Sequence, residues 1–297
     1  MDDRIVRALI GSREQPEIVL RREYDATPEE VRDACTSLPR LARWLGTVGG
    51  APAGVGDAFT VDLGSGASAA GRVLHCDRSS VAVSWAADSE PGSILEARRT
   101  PEGPGRTALE LRHRIARPET VAADGFAWEH LVDSLAHSVE GVNPPAPNRS
   151  TWERLALRPL DLSRTIAADR SRVWDALSTA EGLRSWWWRH WPDVTIQADV
   201  RPGGGYRIVA PAAGIVLEGT YLAVEPRERL AFTWVWRDED GSSRDEAVEM
   251  RLTGDGHQTG LNVRHTGPWA DDAPAESYLQ GWRFTLGELD AVVASAP

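Results

Sequence analysis

Lysine is absent from the 297 residues, so all 33 basic side chains are arginine. That absence excludes a Schiff-base lysine, a pyridoxal-phosphate anchor and the lysine of a phosphate-binding loop. Coding bias toward Ala, Gly and Arg accounts for it. Cysteine is scarce: Cys35 and Cys76 lie far apart without partner spacing, which gives neither a disulfide framework nor a zinc box. His190 and His257 stand alone, so no metal is expected, and no cofactor is implied. The nucleophile elbow of hydrolases, the paired-histidine helix of metalloproteases and the glycine-lysine phosphate loop are all missing. Gly203-Gly204-Gly205 precedes a strand pattern, not a helix, and reads as a tight turn. No apolar run approaches the roughly 18 residues that span a bilayer. The stretch from Met1 to Ile10 is charged and has no long apolar core, so neither a signal peptide nor a membrane anchor is expected and the cytoplasm is the default location. A net charge of −11 argues against nucleic acid as a partner, because phosphate backbones demand clustered cations.

Present instead is a repeat. Arg22, Ala26, Val31, Asp33, Ala34, Leu41 and Trp44 return 142 positions later as Arg164, Ala168, Val173, Asp175, Ala176, Leu183 and Trp186, without a gap. Small insertions stretch the offset downstream, where Phe59 answers to Tyr206, Gly71 to Gly219, Trp85 to Trp234, His113 to His265 and Trp128 to Trp282. A constant offset over such a span indicates duplication. The length suits two domains of about 140 residues, and a charged fraction of 26% with a hydrophobic fraction of 41% is that of a globular protein.

Each copy opens with a strand and a capped helix. Thr27-Pro28-Glu29-Glu30 carries a cap, a proline at the first helical position and the glutamate of a capping box, predicting a helix over 28–37. In the second copy Asp169 caps a helix whose apolar side carries Val173, Trp174 and Leu177. Short alternating stretches separated by turn residues follow, the pattern of an antiparallel meander. Long helices close the copies, from Trp128 to Val139 and from Tyr278 to Val293. The proline-rich stretch 141–147 reads as a stiff linker, with a short helix from Ser150 to Leu157 bridging to the second copy. The expected division is an N-terminal extension at 1–17, a diverged domain at 18–140, a linker at 141–158 and a second domain at 159–297.

The motifs Val173-Trp174-Asp175-Ala176-Leu177, Gly203-Gly204-Gly205-Tyr206-Arg207, Gly219-Thr220-Tyr221-Leu222 and Leu230-Ala231-Phe232-Thr233-Trp234 resemble the START-like helix-grip superfamily (SRPBCC). Within it the resemblance is greatest to bacterial proteins named for homology to the activator of the heat-shock protein 90 ATPase. It covers nearly all of 160–294, and in 18–140 it rests mainly on the repeat. The implied fold is α+β: two tandem helix-grip domains, each an antiparallel sheet wrapped around a long C-terminal helix with ligand space between them. The superfamily includes lipid carriers, aromatic polyketide cyclases, hormone-type receptors and co-chaperone modules, so the fold alone does not select a function.

Tryptophan marks the candidate site. Nine of the 13 lie from Trp174 onward. Alternation puts Phe232, Trp234 and Trp236 on one sheet face, with Trp282 on the closing helix opposite. These rings wall a cavity for a flat or apolar ligand in one reading and simply fill a core in the other. Trp187, Trp188 and Trp191 crowd the segment at the cavity mouth, as a lid or as an exposed patch for a protein partner. His265 sits on the inward strand phase: beside Tyr206 and Tyr278 it moves protons if the protein is a cyclase-like enzyme, and its recurrence as His113 favours a structural role. Arg207, Glu218, Glu249, Arg251 and Arg264 are read as charges of a solvated sheet face, and Cys35, aligned with Leu177, as a buried small hydrophobe. The leading expectation is a non-enzymatic module that binds an apolar or aromatic small molecule in the second domain, without catalytic residues and without nucleic-acid or membrane partners. A cyclase-like enzyme and a co-chaperone-type interaction module are the alternatives.

Overall fold

The computed structural model describes residues 4–50, 52–64, 66–87, 92–254 and 256–295. The chain divides into two units, Met1–Glu153 and Arg154–Pro297. In the first, β1 (Ile5–Gly11) and β2 (Pro16–Tyr24) lead to α1 (Pro28–Thr36) and α2 (Leu38–Leu41). Then come β3 (Thr47–Gly49), β4 (Ala58–Gly64), β5 (Ala67–Cys76), β6 (Ser80–Ala87), β7 (Ser93–Pro101) and β8 (Thr107–Arg114), followed by the long α3 (Val121–Glu140) and α4 (Arg149–Leu157). The sheet order is β1-β2-β8-β7-β6-β5-β4-β3, with every neighbouring pair antiparallel.

The second unit repeats the plan. β9 (Leu160–Ile166) is followed by α5 (Arg170–Ser178) and α6 (Ala180–Trp186). β10 (Thr195–Ala198), β11 (Gly205–Ala210), β12 (Ile215–Glu225), β13 (Arg229–Asp238), the two-residue β14 (Gly241–Ser242), β15 (Glu246–Thr253) and β16 (Thr259–Thr266) form the sheet, and α7 (Ala273–Ser295) closes the chain. The order is β10-β11-β12-β13-β15-β16-β9, with β14 on β13. Trp282, Leu286, Leu289 and Val293 line the buried stripe of α7, which packs on β9 and beside α5 and α6.

One expected boundary shifts, for a physical reason. Residues 5–11, read as an extension, form β1, because Ile5, Ala8, Leu9 and Ile10 bury their side chains and the strand satisfies the open edge of β2. The short helix expected at 150–157 forms as α4, and its Trp152 is fully buried with its indole donating to Glu129 at 2.8 Å.

Matching positions make matching bonds. Trp44 donates to the carbonyl of Ala34 at 2.9 Å, as Trp186 does to Ala176 at 2.9 Å. Thr107 donates to the carbonyl of Ala26 at 2.8 Å, and Thr259 to that of Ala168 at 2.7 Å. Gly71 and Gly219 lie so close to the next strand that a Cβ would fall 1.9 Å from the Ser84 carbonyl oxygen and 2.1 Å from that of Thr233. Only glycine fits there, beneath the rings of Phe59 and Tyr206.

Candidate functional site

The second unit holds a cavity of about 930 Å³ between β13, the start of β15, α7 and the segment after α6. β13 supplies Trp234 and Trp236, two residues apart and therefore on one face. α6 ends at Trp186, whose ring is fully buried. Trp187 then turns extended and Trp188 takes φ +51°, a left-handed conformation that costs an L-residue about 1–2 kcal/mol. Beyond this corner Trp187, Trp188 and the half-buried Trp191 all reach the cavity. α7 adds Trp282 and Tyr278, and the loop before it adds Trp269.

The rings form a continuous wall. Trp187 lies 6.2 Å from Trp234 and 5.8 Å from Trp282, Trp188 lies 5.6 Å from Trp236, and Trp234 lies 5.3 Å from Trp282, in tilted or edge-on geometry. Trp187 and Trp188 are buried against Trp234, Trp236 and Trp282, whereas Trp191 is half-buried beside the exposed His190 and Phe284.

One end is polar. The carboxylate of Glu246, buried at the start of β15, accepts the indole N–H of Trp269 and the hydroxyl of Tyr278, both at 2.9 Å. Burial, with the Glu246 charge added, raises the Tyr278 hydroxyl well above the ordinary phenol range. His265 stands behind this end and does not line the cavity. It is fully buried, its Nδ1 accepts from the indole of Trp282 at 3.3 Å, and its Nε2 lies 3.5 Å from Glu246. Tyr278 at 4.5 Å and Trp269 at 5.3 Å complete its aromatic enclosure.

Two expected wall residues belong elsewhere. Phe232 and Tyr206 pack with Tyr221 deeper in the sheet, around a void of about 20 Å³, room for a single water at most. The Tyr206 hydroxyl donates to the carbonyl of Thr233 at 2.8 Å, and burial raises its pKa. Phase along β13 was right for Phe232; depth along the strand separates it from the cavity. Glu218 bonds Arg207 and lies 2.7 Å from Arg237, a solvated cross-strand cluster, whereas Glu249 is buried, clamped by Arg229 at 2.8 Å and Arg251 at 2.6 Å. The Cys35 thiol is pushed up to about 11 by burial, which removes it as a nucleophile near neutrality.

Glu246 and Trp269 are the site residues that sequence reasoning missed. Glu246 shares the inward phase of Val248, Met250 and Leu252, a signal that was legible; Trp269 lies in an irregular loop that carries no periodicity.

Residues 167–294 match the model of the family described as activator of Hsp90 ATPase homolog 1-like protein. The fold is the SRPBCC helix grip. Both halves of the chain are helix-grip domains, in tandem. Among solved structures, CalU16 from Micromonospora echinospora is 29% identical over 52% of this chain and 99% of that one, with a TM-score of 0.44. DynU16, described as a protein of the dynemicin biosynthetic locus, is 18% identical over 98% of this chain and 99% of that one, with a TM-score of 0.38. The Aha1 dimer from Colwellia psychrerythraea is 14% identical over 47% of this chain and 100% of that one, with a TM-score of 0.38. No curated protein matches the chain. No helix among the described residues is long and apolar enough to cross a membrane.

The first helix-grip domain has a cavity of about 210 Å³ at the corresponding place, lined by Trp85, Ser93, His113 and Trp128 with Arg117 and Asp124.

Proposed function

We propose that the protein is a non-enzymatic binding protein that holds an apolar or aromatic small molecule in the tryptophan-walled cavity of its second helix-grip domain. The observation that carries this reading is the half-open cleft of about 930 Å³ walled on one side by indole rings, within the size range of small-molecule sites. A ligand whose binding removes about 300 Å² of apolar surface from water, its own and the wall's together, gains roughly 7 kcal/mol before the costs of immobilisation. His265 is kept from the cavity by its aromatic neighbours, and the Tyr278 hydroxyl is held protonated, so neither favours proton transfer to a bound molecule near neutral pH. The first domain is read as a diverged duplicate, on the strength of the paired tryptophan, threonine and glycine contacts. The cytoplasm is its proposed location, with neither nucleic acid nor membrane as a partner.

The test is a titration with N-phenyl-1-naphthylamine, a neutral aromatic fluorophore. Its emission is expected to rise on binding while tryptophan emission falls, and Trp236→Ala, at a half-buried position, is expected to weaken the effect by about tenfold. Unchanged emission from both would remove the reading.

A further inference from the structure

Four glutamates are buried among the described residues, and three of them sit on arginine. Glu17 accepts from Arg112 at 3.1 Å, Glu129 from Arg7 at 2.8 Å, and Glu249 from Arg229 at 2.8 Å and Arg251 at 2.6 Å. The fourth is Glu246, with no arginine within ion-pair distance. Both of its oxygens act as acceptors, which suits the ionised form, but the close donors are the neutral Trp269 and Tyr278, and His265 is 3.5 Å away. A carboxylate withdrawn from water beside neutral donors, with only an imidazole that already accepts from Trp282 near it, is costly, and a cation that supplies the charge recovers the cost.

The rest of the lining repeats the bias. Asp238 and Asp240 add two carboxylates at the exposed rim, and no arginine lines the cavity in a chain that has 33 basic residues. Between rim and floor lie the indole faces, whose quadrupole attracts cations and repels anions. We propose that the ligand is a cation: a protonated or quaternary amine on an apolar or aromatic body, with its charge set against Glu246 and the surrounding rings. The inference rests on the binding function proposed above and narrows it to a chemical class. It also gives the Trp269 and Tyr278 bonds a purpose, since they hold the carboxylate in one orientation at the cavity floor.

Calorimetric titration of the full chain with three probes tests it: (2-naphthylmethyl)trimethylammonium, its neutral carbon isostere 2-neopentylnaphthalene, and 2-naphthylacetate. The ammonium is expected to bind at least about tenfold more tightly than the isostere, with a preference that falls as salt is raised, and the carboxylate is expected to give no heat. Glu246→Gln is expected to bring the ammonium to within about threefold of the isostere. Equal or tighter binding of the isostere by the wild-type chain overturns the cation and leaves the binding function standing. Absence of heat with all three overturns both. An unchanged ratio in a folded Glu246→Gln, checked by circular dichroism, overturns the assignment of the charge to Glu246, and the wild-type ratio needs no variant at all.

Discussion

The same imidazole–indole pair stands in both domains and ends on different partners. In the first, Trp128 donates to His113 Nδ1 at 3.0 Å, and His113 Nε2 meets the hydroxyl of Ser93 at 2.7 Å. In the second, Trp282 donates to His265 Nδ1, and Nε2 faces Glu246. Ser93 and Glu246 are equivalent in the sheets: Ser93 pairs with Trp85 across one ladder, and Glu246 with Trp234 across the other. One position thus differs between a hydroxyl that closes a hydrogen-bond chain and a carboxylate that opens a charged site. The cavity volumes follow the same division, about 210 Å³ against about 930 Å³. The histidine is part of the shared scaffold, and the difference between the domains lies in what the scaffold presents beyond it.

The largest effects should come from the indoles of that scaffold. Trp282→Ala and its counterpart Trp128→Ala are each expected to destabilise their own domain by about 3–5 kcal/mol, because each empties a buried ring and strips the histidine of its donor. Only Trp282→Ala should also abolish ligand binding. Urea unfolding read beside probe titration separates the two, and loss of binding in a folded Trp128→Ala would erase the distinction between the domains.

Next in size is a pH effect in the first domain. Burial lowers the His113 pKa from 6.5 to about 4. Because the unfolded chain takes up the proton first, stability is complete above about pH 6.5 and is lost as pH falls toward 4, by at most about 3 kcal/mol. Equilibrium unfolding of wild type and His113→Gln across pH 4–7 checks this: the variant is expected to show a flatter profile in that window. Parallel profiles would show that carboxylates held below their usual range by backbone N–H bonds, such as Asp57 and Asp77, and not the imidazole, set the acid sensitivity.

How far all this was legible in the sequence depends on what each residue answers to. The repeat, the capped helices and the meander were readable because they rest on local periodicity and on a constant offset. The indole wall was readable in part: Trp234, Trp236 and Trp282 follow from strand and helix phase. Phase says nothing of depth, however, so it does not separate Phe232 and Tyr206, which line a smaller void, from the cavity residues. Glu246 is hard to place from sequence because a glutamate at the head of a strand normally belongs to solvent. Its inward phase on β15 is legible, but its burial is fixed by Trp269 and Tyr278, contributed from a loop and a helix more than twenty positions away, a long-range fact no window of sequence holds. β1 was missed for a similar reason, since an edge strand is defined by the neighbour it completes.

The smallest expected effect compares the two entry helices. α1 has a reciprocal cap: Thr27 Oγ1 accepts from the Glu30 amide at 3.2 Å, and the Glu30 carboxylate accepts from the Thr27 amide at 2.8 Å. The Thr27 amide, and then its hydroxyl, donate to the Glu30 carboxylate and hold it below the usual range, so those bonds persist at neutral pH and fail as acid protonates it. α5 has half of that arrangement, with Asp169 accepting from the Arg172 amide at 3.0 Å and an arginine where the returning glutamate would stand. Removing the cap should therefore cost both domains alike, about 1 kcal/mol for Thr27→Ala and for Asp169→Ala. Three residues further on the symmetry breaks. Glu30→Ala is expected to lower the stability of the first domain by a few tenths of a kcal/mol, roughly the worth of one exposed side-chain bond, whereas Arg172→Ala leaves the second unchanged. Amide hydrogen exchange at the first turn of each helix resolves the difference, with faster exchange at Thr27 in Glu30→Ala and no change at Asp169 in Arg172→Ala. Equal losses in both would mean that the two helices start by the same mechanism after all, and that the divergence of the domains begins only at the sheet.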